Sequence, residues 1–308
     1  MSVAAAARTE STAAFGSMQW ISQRLGRIVL HVVVIGLTLA WVVPTLGLVL
    51  SSFRPFSAIA TSGWWAAISP PYAFTLDNYN QLFAQSNLGT AIFNSFMVSV
   101  PSTVIPVTIA AFAAYAFAWM KFPARDWIFL GFVGLLAVPL QLTFIPVLKF
   151  YVDHGITIEN LTALNLPPWV GLWLAHAGYG LPFSTYLLAN FFRALPSDLF
   201  ESAEIDGAGT LTVFFRIILP LSVPALASLV IFQFLWVWND LLVALIYVGG
   251  SPEVAPLTVN LAGLTNSLGQ GYQLLTAAAF FSMIVPLVVF LSLQRYFVRG
   301  ILAGSVKG

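Results

Sequence analysis

The sequence predicts an all-α integral membrane protein with six transmembrane helices, on three observations. Its 308 residues are 59% hydrophobic and 7% charged, with a mean hydropathy of +0.90, whereas a soluble domain carries roughly 25% charged residues. Apolar runs long enough to cross a bilayer, which takes about 20 helical residues, recur along the chain. The alternating ten-residue pattern typical of a membrane β-barrel is missing, so the spans are predicted to be helices.

The chain divides into three predicted parts. Residues 1–27 are a polar, Ala- and Ser-rich segment, 28–294 form the membrane domain, and 295–308 form a tail. The six predicted spans are 28–52, 90–119, 127–148, 168–192, 222–248 and 273–294. Prolines inside the spans predict kinks, because membrane helices tolerate proline.

Lysine and arginine positions set the predicted orientation. With the N-terminus in the cytoplasm, only Arg54 and Lys149 of the 12 basic residues lie on the outer side. Basic residues are enriched in cytoplasmic loops. Both termini, and the loop between spans four and five, are therefore predicted to be cytoplasmic.

Composition and motifs argue against several functions. The sequence has no cysteine and three widely separated histidines, so no local metal site is predicted. It lacks the G-x-x-x-x-G-K-[ST] phosphate loop, so this chain is not expected to bind ATP itself. Metalloprotease and serine-hydrolase motifs are missing as well, and a net charge of +1 gives no reason to expect nucleic acid.

One polar stretch, at about 193–221, interrupts the apolar sequence. It holds four of the 11 acidic residues, namely Asp198, Glu201, Glu204 and Asp206. Asp198 with Glu201 three residues later fits a capping box, which predicts the start of a short helix. A solvated surface loop with incidental acids is the alternative interpretation.

The same stretch contains the signals for a turn and a second helix. Gly207 and Gly209 permit positive φ and are predicted to end the first helix near Asp206. Apolar residues at helical spacing follow from Thr210, and Pro220 is predicted to end this segment. The stretch is therefore predicted to form helix, glycine turn and helix.

These residues resemble the EAA motif of ABC importer permeases. The matching positions are Glu201, Ser202, Ala203, Asp206, Gly207, Ile218 and Pro220. The glycine and the I-x-L-P-like ending fall at compatible spacings, within a residue, and Ser202 replaces the second alanine. The resemblance implies the ABC importer type I permease fold, in which this loop is a cytoplasmic coupling element that docks on an ATPase.

The resemblance covers most of the chain. Asn94-Ser95 and the segments 190–196 and 236–240 resemble the carbohydrate-uptake (MalG-type, binding-protein-dependent) family, and 62–65 resembles its α-glucoside branch. This implies half of a sugar pathway in a bacterial inner membrane, shared with a second permease subunit. It also implies an ATPase dimer that binds ATP and Mg, and an extracytoplasmic sugar-binding protein.

The C-terminal tail is also similar to that family, in which it reaches between the two ATPase subunits. The resemblance implies tail contacts with the ATPase through Arg299, Gly304 and Lys307.

Polar and aromatic residues inside the spans are candidates for a substrate pathway. They are Asn94, Tyr179, Gln233, Trp236, Asn239 and Asp240. Charge within a bilayer is costly and marks a candidate site, and Asp240 is the one carboxylate in a predicted span. Gln233, Val237 and Asp240 have the spacing of one helical face. The alternative for Asn239 and Asp240 is a structural role, capping or pairing near the outer end of the span.

Two classes of transporter are compatible with these features. The first is the permease subunit of an ATP-driven sugar importer. The alternative is a self-contained secondary sugar transporter, for which inverted repeats and several ionisable residues near the bilayer midplane are expected. One carboxylate and no visible repeat disfavour the second class.

Overall fold

The computed structural model is helical in every regular element that it describes. It describes residues 3–85, 87–264 and 271–305, with side chains in 24–84, 87–264 and 271–295. These residues form two compact units, Met1–Asn78 and Tyr79–Gly308.

The first unit is a long helix followed by a folded loop. Helix α1 (Val3–Ser52) begins well before residue 28, the predicted start of the first span. Its Arg24–Ser52 portion is long and apolar enough to cross a membrane. Helix α2 (Phe56–Thr61) and a 3₁₀ turn (Trp64–Ile68) follow.

Arg54 organises this loop from inside. Its side chain is 4% exposed, and its guanidinium donates to the carbonyl oxygens of Ala58 at 3.0 Å, Ser62 at 3.2 Å and Gly63 at 2.8 Å. It also donates to the Ser62 hydroxyl. A guanidinium offers five donors in a fixed geometry, so one side chain satisfies several loop carbonyls. Arg54, which the sequence analysis counts as a basic residue on the outer side, therefore bonds to carbonyl groups of its own loop.

Short helices join the long ones in the rest of the chain. In order they are α3 (Asp77–Gln85), α4 (Leu88–Trp119), α5 (Arg125–Leu135), α6 (Phe144–Asp153), α7 (Ile158–Ala163), α8 (Val170–Arg193), α9 (Asp198–Ile205), α10 (Thr210–Val213), α11 (Leu219–Leu221), α12 (Val223–Trp238), α13 (Leu242–Tyr247), α14 (Leu257–Ala262) and α15 (Tyr272–Ser305). A 3₁₀ turn (Leu140–Thr143) precedes α6 and a π-helix (Phe214–Ile218) precedes α11.

The core of the second unit lies between α4 and α8, which make the most extensive helix pair described. Ala110, Ala111 and Ala114 on α4 are at most 5% exposed and belong to one apolar cluster with Leu188 and Phe192 of α8. Small side chains let membrane helices approach closely. Helix α12 packs on α4 and on α15, which completes the bundle.

The third predicted span, 127–148, is wrong as a single helix. Helix α5 ends at Leu135, and the helical segment Leu140–Ala163 that follows is bent by 97° from Arg125–Leu135. Pro139 has an extended backbone, with φ −61° and ψ 126°, and a proline disfavours helix in the residue before it. The expected kink is therefore a break.

The fifth predicted span, 222–248, is also wrong as one helix. Helix α12 ends at Trp238, and the helix resumes as α13 only at Leu242. The helical register that put Gln233 and Asp240 on one face therefore stops before Asp240.

The number of spans stays a prediction. Within the described residues three helices are long and apolar enough to cross a membrane, and two bent pairs raise this to at most five. Helix α8, the predicted fourth span, has 24 residues but is outside that set. Its polar residues, among them His176, Ser184 and Asn190, dilute its apolar character.

Replacing Arg54 by leucine is expected to destabilise the first loop by about 2–3 kcal/mol, since bonds from a charged donor contribute about 1.5–3 kcal/mol each. Hydrogen exchange of the amides in 56–63 should become faster in the purified protein. Arg125→Leu is the control, because Arg125 pairs with Asp126, which is 82% exposed, and exposed pairs contribute about 0–1 kcal/mol. Equal protection in the Arg54 variant and the parent would contradict the assignment.

Candidate coupling loop and translocation cleft

The polar loop before α12 contains a short helix closed by a glycine. After α9 the chain turns at Gly207, which has a φ of 74°, a conformation that glycine adopts without steric cost. The amide of Ala208 donates to the Ala203 carbonyl at 2.9 Å, and the amide of Gly207 donates to that of Glu204 at 3.0 Å. This bond pair is the Schellman motif that ends helices. The direction of the chain beyond α9 is thereby set.

Three details differ from the prediction for this loop. The N-cap is Ser197, which has helical dihedrals and no capping bond, so the capping box at Asp198 is wrong. Asp198 lies in the first turn instead, where a carboxylate still interacts favourably with the helix dipole. Gly209 has a φ of −71°, and Pro220 lies inside α11.

The motif residues divide between two sides of the loop. The exposed ones are Glu201, Ser202, Asp206, Gly207 and Pro220, and the buried ones are Ala203 and Ile218. The Ser202 hydroxyl donates to the carbonyl of Asp198 at 2.7 Å. The polar atom that serine adds in place of alanine is therefore bonded within α9.

Two apolar side chains accompany the exposed acids. Ile205, at the end of α9, is 86% exposed, and Leu211, just beyond the turn, is 65% exposed. Sequence reasoning singled out the acids and missed Ile205, although an isoleucine between two acids in a loop of this polarity was a usable signal. Apolar side chains beside carboxylates suit a partner groove with an apolar floor and a basic rim.

The other side of the loop is packed on the ends of α4 and α8. The Phe200 ring stacks on Trp119 with centroids 3.7 Å apart and planes at 27°. The Trp119 indole donates to the Phe192 carbonyl at 3.1 Å. Phe214, which is 1% exposed, has its ring 5.3 Å from that of Tyr115. The loop is thus held by aromatic contacts to helices that are distant in sequence.

A second feature is a cleft of about 280 Å³ between α8 and α12. It is lined by Tyr179, Gly180, Phe183, Phe232, Gln233 and Trp236. The Tyr179 hydroxyl is bonded to that of Tyr247 at 2.7 Å and accepts from Thr143 at 3.1 Å, which fixes its ring. Trp236 is 38% exposed. The cleft is therefore lined by aromatic side chains, of which Tyr179 is held by hydrogen bonds.

Two of the polar pathway candidates have structural partners. Asn94 is 1% exposed, and its amide donates to the carbonyls of Glu253 at 3.0 Å and Ala255 at 3.1 Å. Gln233 is 4% exposed, and its amide donates to the Ser102 carbonyl at 3.2 Å. These bonds tie α4 to neighbouring elements, and a role of either residue in a pathway stays a prediction.

Asp240 caps the helix that follows it. Its carboxylate accepts from the amides of Val243 at 3.4 Å and Ala244 at 3.0 Å, the first turn of α13. Its own carbonyl accepts from the Thr258 hydroxyl at 2.6 Å. Asn239 is exposed and bonded to the Leu235 carbonyl at 2.7 Å. The geometry favours the structural alternative for Asp240, and a role of the exposed Asn239 in a pathway stays a prediction.

His176 lies against this break in the helix. Its side chain is fully buried, and Nε2 is 3.7 Å from the Asp240 carboxylate, longer than a hydrogen bond. Its ring meets the Trp236 indole edge-on, with centroids 5.5 Å apart. His176 thus lies between the capping carboxylate and the Trp236 ring of the cleft, without a hydrogen bond to the carboxylate.

The tail predictions lie beyond the described side chains. Arg299 and Gly304 belong to the part of α15 for which side chains are not described, and Lys307 lies outside the described residues.

The sequence and the fold of this chain are similar to those of known permeases. The chain is 52% identical over 281 residues to the osmoprotective compounds uptake permease protein GgtD of Synechocystis, covering 90% of this chain and 91% of that one. It is 51% identical to the α-glucoside transport system permease protein AglG of Rhizobium meliloti, over 80% of this chain and 63% of that one. A chain of a solved bacterial ABC transporter that imports alginate has the same fold, with a TM-score of 0.71 at 20% identity, covering 90% of this chain and 98% of that one.

The fold and the relatives define a permease subunit of an ABC importer, a non-catalytic chain whose ATPase is a separate protein. Residues 106–303 match the family described as binding-protein-dependent transport system inner membrane component, and the chain belongs to that family.

Asp240→Asn is expected to keep most uptake, because an amide oxygen still accepts from the first turn of α13. Asp240→Ala is expected to cost about 0.5–2 kcal/mol, as for a lost helix cap, and to speed exchange of the Val243 and Ala244 amides. Uptake by reconstituted complexes and hydrogen exchange are the measurements. If Asp240→Asn lost uptake as fully as Asp240→Ala, the carboxylate would have a role beyond capping.

Proposed function

We propose that this chain forms half of the translocation pathway for an α-glucoside or a similar small oligosaccharide. The observation that carries this proposal is the 52% and 51% identity to permeases of osmoprotective compounds and of α-glucosides. A second permease subunit supplies the other half of the pathway. A cytoplasmic ATPase dimer supplies the energy, and an extracytoplasmic binding protein delivers the sugar.

The loop at 193–221 is the proposed docking element for the ATPase. It presents Glu201 and Asp206 together with Ile205 on the side that faces away from the helices. The Schellman turn at Gly207 makes this surface rigid, so little conformational entropy is lost on docking. Docking requires that the loop, and with it both termini, lie in the cytoplasm, as the distribution of basic residues predicts. The tail residues Arg299, Gly304 and Lys307 are proposed as additional ATPase contacts.

The cleft between α8 and α12 is the proposed sugar-facing wall. Trp236 and Tyr179 line it with aromatic rings, the kind of side chain on which the C–H face of a sugar can stack. Asn239, which is exposed beyond Trp236, supplies an amide that can exchange partners with sugar hydroxyls. The proposed wall is neutral, in keeping with an uncharged sugar.

Reversing both acids of the docking surface, Glu201→Lys with Asp206→Lys, is expected to uncouple ATP hydrolysis from uptake. Misplaced interface charge costs several kcal/mol, and 1.4 kcal/mol is a factor of ten, so ATPase attachment should fall by roughly tenfold or more. Copurification of the ATPase and uptake per ATP are the measurements. Asp126→Lys is the control, because Asp126 is an exposed acid outside this loop. Wild-type attachment of the double variant would refute the docking surface.

Trp236→Leu is expected to raise the sugar concentration for half-maximal uptake by roughly fivefold, because an aromatic contact contributes about 1 kcal/mol. Uptake at varied sugar concentration in proteoliposomes is the measurement, with Trp127→Leu as control, since Trp127 is 77% exposed and lies on α5, away from the cleft. An unchanged half-maximal concentration would remove the cleft from the pathway.

A further inference from the structure

We propose that motion of the docked loop enters the membrane domain through α4, at Trp119 and Tyr115, and not along the chain into α12. The proposal rests on the docking function proposed above and names the residues that transmit it. Trp119 and Tyr115 are positioning residues, since neither belongs to the exposed docking surface.

Trp119 holds the first helix of the loop. Its ring lies over Phe200 at a centroid distance of 3.7 Å, close enough for the two rings to move together. Its indole N–H donates to the carbonyl of Phe192, near the end of α8, at 3.1 Å. One side chain thus joins α4, α8 and α9.

Tyr115, one turn earlier on the same face of α4, holds the second part of the loop. Its hydroxyl donates to the Thr210 carbonyl at 3.3 Å, at the start of α10. Its ring lies 5.3 Å from that of Phe214 in the π-helix. The two aromatic residues therefore contact the loop on both sides of the Gly207 turn.

The covalent route from the loop to α12 is interrupted. Beyond α10 the chain forms a π-helix, the short α11 and then a bend of 74° before α12. A π-helical turn replaces the α-helical bonding pattern, and because of the bend α12 does not continue the axis of the loop helices. Phe214 and Ile218 of the π-helix also pack in one apolar cluster with Ala225 and Leu229 of α12, so what the proposal excludes is a push along one continuous helix axis.

Helix α4 is a suitable element to carry the motion. It is one α-helix over 32 residues, with Pro101 and Pro106 inside it but not ending it, and it is about 48 Å long at 1.5 Å per residue. Near its other end Asn94 is bonded to the carbonyls of Glu253 and Ala255, and the Ser95 hydroxyl accepts from the amide of Leu257 at 2.8 Å. A push at Trp119 therefore reaches the segment before α14 through one helix.

The first test replaces Trp119 by leucine in the complete reconstituted transporter. Uptake per ATP hydrolysed is expected to fall at least about fivefold, the lower end of typical coupling between sites, while the ATPase stays attached. Trp127→Leu is the matched control and should leave the ratio unchanged. An unchanged ratio in Trp119→Leu overturns the proposal, and so does loss of ATPase attachment, because Trp119 would then only support the docking surface.

The second test restores the connection without the aromatic rings. The chain has no native cysteine, so a Trp119→Cys, Phe200→Cys variant can be joined by a short thiol crosslinker. Uptake per ATP should be low before crosslinking and recover afterwards. Absence of recovery in efficiently crosslinked complexes overturns the proposal.

The two proposals can fail separately. If the Glu201 and Asp206 reversals leave ATPase attachment intact, docking through this loop is refuted whatever Trp119 does. If those reversals release the ATPase and Trp119→Leu transports at the normal ratio, docking stands and the route through α4 is refuted.

Discussion

Backbone hydrogen bonding in an apolar solvent is the constraint on which the rest of this structure depends. A bilayer offers no water to a free N–H or C=O group, and each unsatisfied group costs several kcal/mol. Three of the places where a helix is interrupted or ends are met by a specific polar group. The Asp240 carboxylate receives the first amides of α13, the Asn94 amide bonds the carbonyls before α14, and the Arg54 guanidinium bonds those after α1. In these three places a polar residue near an apolar segment marks the end of a helix or the start of the next one.

Features of the fold that have a local sequence signal could be predicted, and features that depend on packing could not. Apolar length located α4 and α8 within a few residues, and the glycine pattern located the turn at Gly207, because these signals are local. The breaks within spans three and five could not be predicted, because a bilayer-length apolar run looks alike whether or not it bends. Asp240 was recognised as unusual, but its capping role depends on where α12 stops, which packing decides. The stack of Phe200 on Trp119 joins distant residues and has no local signature.

The loop at 193–221 has a buried side and an exposed side, and the two sides need different residues. Its inner side needs apolar contacts, which Ala203, Phe214 and Ile218 supply by burial against α4 and α8. Its outer side remains exposed because α9 is short and ends at the Schellman turn at Gly207. Arg193 supports the junction, since its guanidinium lies 4.3 Å above the Phe129 ring. Such anchoring is what the proposed docking function requires, because a loosely held loop would be displaced without moving the helices.

The distance between the loop and the cleft decides how the two can communicate. Tyr179 and Phe192 both lie on α8, about 20 Å apart at 1.5 Å per residue. Glu201 is exposed to solvent, where charges are screened over about 8 Å at physiological ionic strength, so we expect the proposed docking of an ATPase there to act on the cleft mainly through the helices. What the two regions share is the packed pair of α4 and α8, whose alanine contacts leave little room for independent movement. The proposed coupling between them is therefore mechanical, with the helices shifting the walls of the cleft when the loop moves.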